Sequence, residues 1–379
     1  MENKLIIAGA GTGKTKYLID RAIEIKERVL ITTFTINCKN EIIDKIIKRK
    51  GYVPKNINVQ TWFSVLLQHG VKPYKRTFKI NNVKGVNMTQ GRSGLRYRGK
   101  RGPVYWGEEN FDKFYFDSNN NIYTDKLSKL VIRIDNETHG KVIDRLTSIY
   151  NNIFLDEVQD MAGYDLEFIK RLMNSNSNII LVGDPRQTVY KTHYEQKYKK
   201  YSDGNIENFI REECKKIECD VDNTTLNRCY RCHKDIITFV NNFYNDFTPM
   251  KSTEIEEKEH QGVFTIKKSQ IEEYIRKYNP VQIIYDSRTI TSKLSQTITM
   301  GKSKGATYNR VLLYPTGEFK NYIINGNASI NIGTKNKLYV GMTRPINSLT
   351  FVIDDDNNAF RIKKWFGRGL ENDTKKFII

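Results

Sequence analysis

Close to its N-terminus the chain runs from a short apolar stretch, Lys4 to Ala8, into Gly9-Ala10-Gly11-Thr12-Gly13-Lys14-Thr15. Residues with helical spacing follow from about Lys16. Glycine, four residues, then Gly-Lys-Thr is the full Walker A pattern, and the strand and helix around it are the context it requires. Each residue type has a physical task. The glycines let the backbone curl so that several N–H groups face phosphate oxygens, and the helix N-terminus adds its positive end. Ala8, Gly9, Ala10, Gly11, Thr12, Gly13, Lys14 and Thr15 are therefore expected to cradle a nucleotide. Lys14 would reach the outer phosphates and the Thr15 hydroxyl would ligate Mg²⁺. With a strand so early, no signal peptide is expected.

A second segment completes such a site. Asn152-Ile153-Phe154-Leu155 reads as a buried strand and ends in Asp156-Glu157-Val158-Gln159-Asp160. A carboxylate at the C-terminal end of a parallel strand is where Mg²⁺ must be held. On this reading Asp156 holds the metal, and Glu157 orients or deprotonates the attacking water.

The string LDEVQD at 155–160 resembles motif II of the UvrD/Rep-like branch of superfamily 1 helicases, and further motifs follow in that family's order. Ile31 to Thr35 with Lys39-Asn40-Glu41 is similar to motif Ia, and Val59 to Ser64 to motif Ib. Leu181 to Tyr190 resembles motif III and Leu226 to Cys232 motif IV. Thr299 to Gly305 resembles motif V and Leu338 to Arg344 motif VI. The resemblance implies an α/β chain of two RecA-like P-loop NTPase domains, parallel sheets flanked by helices, with ATP and Mg²⁺ in the cleft between them. It implies Gln187 as the sensor of the γ-phosphate, Arg231 and Arg344 as cations reaching that phosphate, and Gly305 as part of the nucleotide site. A guanidinium fits that task because charge builds on the equatorial oxygens during transfer. Phe34, Thr35, Thr61, Trp62, Tyr190 and Thr299 are implied to meet the nucleic acid.

The sequence also departs from the family pattern. No glutamine precedes the phosphate loop to read adenine, and Thr307 stands in motif V where a glutamate is usual. After Tyr190 come Lys191-Thr192-His193-Tyr194, so Tyr190 and Tyr194 are open to two readings, base stacking or burial. Cys214, Cys219, Cys229 and Cys232 have a spacing that invites zinc, but ordinary reduced thiols suit the motif IV position better. A 1B-like insertion is expected between motifs Ib and II. Only Asp286 to Thr297 separate the strand Val281 to Tyr285 from motif V, so little or no 2B insertion is expected. The expected domains are 1–70 with 150–205, the insertion 71–149, and 206–379.

Within the insertion, residues 71–101 hold ten Lys and Arg and no acid. Arg92, Arg96, Arg98, Lys100 and Arg101 lie among glycines with Tyr97 between them, which reads as a flexible arm and not a packed element. Such an arm offers electrostatic binding to a phosphate backbone, or is a solvated loop without a role. Over the whole chain, 62 Lys and Arg against 43 Asp and Glu give a formal charge of +19, favouring a polyanionic partner. There is no apolar run long enough for a membrane span, and an odd count of five Cys suits a reducing cytoplasm. Two functions fit. One is an ATP-dependent translocase or helicase on single-stranded or partly duplex DNA, moving 3′ to 5′ by resemblance. The other is a DNA-stimulated ATPase switch that serves a partner such as a nuclease.

Overall fold

The computed structural model describes residues 2–78, 80, 83–89, 91–189, 196–253, 256–326, 328–356 and 362–365. These fall into two compact units, one drawn from 1–7, 14–185 and 190–222, the other from 8–13, 186–189 and 223–379.

The first unit is built on six parallel strands. They are β1 (Asn3–Ile7), β2 (Val29–Thr33), β3 (Ile57–Thr61), β4 (Asn152–Leu155), β5 (Asn178–Gly183) and β6 (Asp220–Asp222), in the order β6-β1-β5-β4-β2-β3. Sequences such as VLITT and NIILVG, rich in Val and Ile without alternation, suit a sheet buried on both faces. Because all strands run the same way, their C-terminal ends share one edge. Along that edge the phosphate loop follows β1, the motif III segment β5, the acidic pair β4, and the Ia and Ib segments β2 and β3. Helix Ile36–Lys50 is set by its ends. The Thr35 side chain caps the N–H of Cys38 at 3.1 Å, and Gly51 closes the other end in the left-handed conformation.

The structure moves one expected boundary. Residues 206–222 belong with the first sheet, because β6 pairs with β1 in parallel and Lys4 bridges Asp220 and Asp222 at 3.0 and 3.3 Å. The insertion 71–149 also shares the first unit's core. Phe114, Tyr115, Ile122, Leu127 and Leu130 pack in one cluster with Leu30, Leu155 and Leu181. The end of the insertion is two helices, Thr124–Glu137 and Lys141–Ile149. They are broken at Gly140, and the Asp135 carboxylate accepts the N–H groups of Val142 and Ile143 that open the second helix.

The second unit repeats the design. Strands β7 (Gly262–Lys267), β8 (Val281–Ile284), β9 (Thr297–Thr299), β10 (Tyr308–Leu313), β11 (Pro345–Ile353) and β12 (Lys363–Lys364) are all parallel, in the order β9-β8-β10-β11-β7-β12. Its core lies on both faces, around Leu338, Phe319 and Phe351 on one and Tyr274, Leu312 and Trp365 on the other. Residues 285–296, between β8 and β9, are turns and bends. Among the described residues no helix is long and apolar enough to cross a membrane.

Candidate nucleotide and nucleic-acid site

At the end of β1 the loop turns through Gly11 and Gly13, both at positive φ (74° and 91°), the conformation glycine adopts without strain. The Thr12 hydroxyl donates to the Gly9 carbonyl at 2.9 Å and holds the curl. Helix Lys14–Glu24 begins directly after, two residues earlier than its periodicity predicts, with Lys14 buried at its first turn. The Thr15 hydroxyl donates to the Asp156 carboxylate at 2.8 Å, so the two expected magnesium ligands are in contact. Asp156 is buried at the end of β4. Burial, then the neighbouring Glu157 charge, raise its pKa to about 6, with Thr15 and Lys14 opposing. A buried acid that is costly to ionise beside a second acid is a place where a hard divalent cation fits.

Glu157 has a backbone of φ 59° and ψ 36°, left-handed for a residue with a Cβ. Such a conformation costs on the order of 1–3 kcal/mol and persists where the surroundings enforce it. Here the Glu157 N–H donates to Asp156 Oδ1 at 2.9 Å, and the Gln159 amide donates to Glu157 Oε2 at 2.6 Å. The Gln159 carbonyl oxygen in turn accepts the Asp184 N–H at 3.0 Å. Gln159 thus ties the acidic pair to the segment after β5. It stands inside the LDEVQD string, where motif spacing alone assigns it no role. The signal that could have found it is an amide between two acids, able to donate to one group and accept from another.

In the second unit, Gln187 is buried in a short turn at Pro185–Gln187. Arg344 lies just after helix Ile332–Met342 and is also buried. Its Nη2 donates to Gln187 Oε1 at 3.2 Å, its Nε to the Val340 carbonyl at 2.8 Å and its Nη1 to the Ala306 carbonyl at 3.3 Å. Lys304 Nζ donates to the Gln187 carbonyl at 3.0 Å. The expected sensor and one expected cation therefore touch. Arg231 points Nη1 at the Thr343 carbonyl, 3.2 Å away, and a Cβ built on Gly11 would meet the Arg231 Cβ at 2.8 Å. Arg231 is thus packed against the phosphate loop itself. Beside it the Tyr230 N–H donates to the Gly11 carbonyl at 2.9 Å, while the Tyr230 ring stays exposed. Nothing in the sequence pattern marks that ring as a neighbour of the loop. Gly305 is at φ 85°, exposed, with open space where a Cβ would stand.

The residues expected to meet nucleic acid divide. Phe34 is half-buried against Phe63 with ring centroids 5.3 Å apart, Thr35 and Thr61 are helix caps, and Thr299 ends β9 half-exposed. Trp62 requires a correction. It is fully buried, its Nε1 donates to the buried Asp165 at 2.6 Å, and it packs edge-on to Phe168. A ring so enclosed offers no face to a base, and its place is the core. Tyr190 and Tyr194 lie outside the described residues.

The basic segment is the second correction. Residues Leu95–Gly99 and Gly102–Tyr105 form an antiparallel hairpin, not a flexible arm. Its cations lean on rings: Arg92 lies 4.5 Å from the Tyr105 centroid and Arg96 4.6 Å from that of Trp106. All five cysteines are free thiols. Cys214 and Cys219 lie in the first unit and Cys229 and Cys232 in the second, and no group of three metal-ligating side chains occurs among the described residues.

Known proteins place this arrangement in a family. The model of the UvrD/REP helicase N-terminal domain matches residues 1–90 and 71–194. A probable DNA helicase II homolog of Mycoplasma capricolum subsp. capricolum is 23% identical over 347 residues, covering 78% of this chain and 45% of that protein. The chain thus spans under half the length of that relative. Similar solved structures include Arterivirus nonstructural protein 10, a helicase, at 13% identity and a TM-score of 0.47, covering 94% of this chain and 61% of that one. Its complex with DNA matches at 12% identity and a TM-score of 0.47, covering 94% and 62%. With the family model matched across half the sequence, the chain belongs to the UvrD/REP helicase family.

Proposed function

We propose that the chain hydrolyses ATP to move along single-stranded DNA, 3′ to 5′, and to separate strands ahead of it. The observation that carries this reading is the Thr15–Asp156 contact, made where a phosphate loop and a strand-end acid meet. Thr15 and Asp156 would hold Mg²⁺, which supplies charge neutralisation at the outer phosphates when bound. Lys14 and the loop N–H groups bind and orient those phosphates. Glu157, fixed by Gln159, orients and accepts a proton from the attacking water. Gln187, Arg231 and Arg344 stabilise charge on the transferred phosphoryl group, and the exposed Tyr230 ring is a stacking platform for the base. Phe34, Thr35, Thr61 and Thr299 meet the strand.

A second reading is a DNA-stimulated ATPase that switches a partner such as a nuclease without unwinding. It is favoured by the short connection from β8 to β9, residues 285–296, which carries turns only. One pair of assays decides. Hydrolysis is measured with no nucleic acid, single-stranded DNA, duplex DNA and RNA, and displacement of a labelled strand is followed on gels. The motor reading expects stimulation by single-stranded DNA together with displacement. Stimulation without displacement favours the switch, and no stimulation by any nucleic acid contradicts both.

A further inference from the structure

The root of the basic hairpin forms one wall of a cavity of roughly 500 Å³, lined by Leu95, Trp106, Asp112, Lys113, Phe116 and Tyr123 among others. That volume lies in the ordinary range of small-ligand sites. The walls are held firmly. Ser93 N–H donates to the buried Asp125 carboxylate at 3.0 Å, buried Lys126 donates to the Ser93 carbonyl at 3.1 Å, and the Trp106 N–H donates to the Gly94 carbonyl at 2.9 Å. The Ser93 end of the hairpin root is therefore fixed to helix Thr124–Glu137, and the two ends are fixed to each other. Gly94 is required there, because at φ 72° an added Cβ would lie 2.8 Å from Lys126 Nζ.

We propose that this cavity receives a base of single-stranded nucleic acid, stacked on Trp106, while the hairpin cations hold the flanking phosphates. This deepens the reading of the chain as a nucleic-acid motor and rests on it. Two independent features converge. The first is the half-exposed Trp106 ring with Phe116 and Tyr123 in the same lining, a surface suited to any base because every base has a π-face. The second is cations already set against that ring: Arg96 at 4.6 Å and Lys113 Nζ at 4.4 Å from its centroid. An incoming base displaces Lys113, whose ammonium swings outward on its flexible stem to a phosphate. The planar Arg96 guanidinium stays stacked. Arg92, Arg98, Lys100 and Arg101, all exposed on or beside the hairpin, extend the positive track. A duplex does not fit this chemistry, because its bases keep their faces in the stack.

The test is binding of a labelled single strand of about twelve nucleotides and of a matching duplex to the full chain, by fluorescence anisotropy. Wild type, W106A and W106F are compared, with thermal unfolding confirming that each is folded. Stacking of one base predicts that W106A binds the single strand roughly tenfold more weakly, that W106F recovers most of the loss, and that duplex affinity is unchanged. Single-strand binding also quenches tryptophan fluorescence in wild type and not in W106F, since Trp62 and Trp365 are buried. W106A binding within about twofold of wild type, W106F as weak as W106A, or an equal loss on duplex overturns the pocket. Wild-type hydrolysis stimulated by single-stranded DNA in the same preparation would then leave the motor reading standing, whereas neither stimulation nor affinity in wild type removes both.

Discussion

The phosphate loop and the basic hairpin look alike in composition, yet they obey different physics. Each mixes glycines with cations and each turns through glycines at positive φ: Gly11 and Gly13 in the loop, Gly94 and Gly102 in the hairpin. In the loop the glycines let the backbone curl, which on the proposed reading turns N–H groups to a ligand, and the single cation, Lys14, is buried. In the hairpin they turn a ribbon whose cations stay exposed and lean on aromatic rings. A Gly-rich basic segment is thus not one kind of object. What decides is whether its partners lie in its own backbone or elsewhere in the chain.

The sharpest way to break that contrast is on the buried side. Arg344→Ala should lower ATP turnover by about 10³–10⁵-fold, the range for a lost arginine at a transferring phosphoryl group. Arg344→Lys should not restore it, because an ammonium cannot reproduce the fork now shared among Gln187, Val340 and Ala306. Steady-state hydrolysis with circular dichroism as a folding check reads this, and less than tenfold loss in a folded variant removes Arg344 from the site. Glu157→Gln comes next, with turnover lower by about 10²–10⁴-fold and nucleotide binding retained. Retained turnover there would take the water-activating role away from Glu157.

On the hairpin side the effects are smaller. Gly94→Ala places a Cβ against Lys126 at a left-handed position, and should cost about 1–3 kcal/mol in denaturant unfolding. An unchanged midpoint would mean that the hairpin root is not built as described. Neutralising Arg92, Arg96, Arg98, Lys100 and Arg101 together should flatten the salt dependence of single-strand binding by roughly 0.7 in slope for each phosphate no longer neutralised. An identical slope would return the hairpin to a solvated ornament.

How much can be read from sequence follows the same division. Strand Asn152–Leu155 is legible to the residue and the ends of the phosphate loop to within one or two, because apolar runs and glycine spacing are local signals. The hairpin escapes a local reading because what orders it is remote: Trp106 on its far side, and Asp125 and Lys126 some thirty residues on. Trp62 misleads for the same reason, its indole N–H being satisfied by Asp165 about a hundred positions away. The reach of the first sheet to Asp222 is also hidden, since a three-residue strand pairing with β1 carries little periodicity of its own.

The central claim is that the loop Gly9–Thr15 with Asp156 and Glu157 hydrolyses nucleotide in response to nucleic acid. ATP turnover by wild type and by Lys14→Ala, each with and without single-stranded DNA, tests it most directly. The account predicts wild-type turnover that rises with DNA and a variant reduced by about 10³-fold in both conditions. Turnover by Lys14→Ala close to wild type, or a wild type indifferent to DNA, would contradict it.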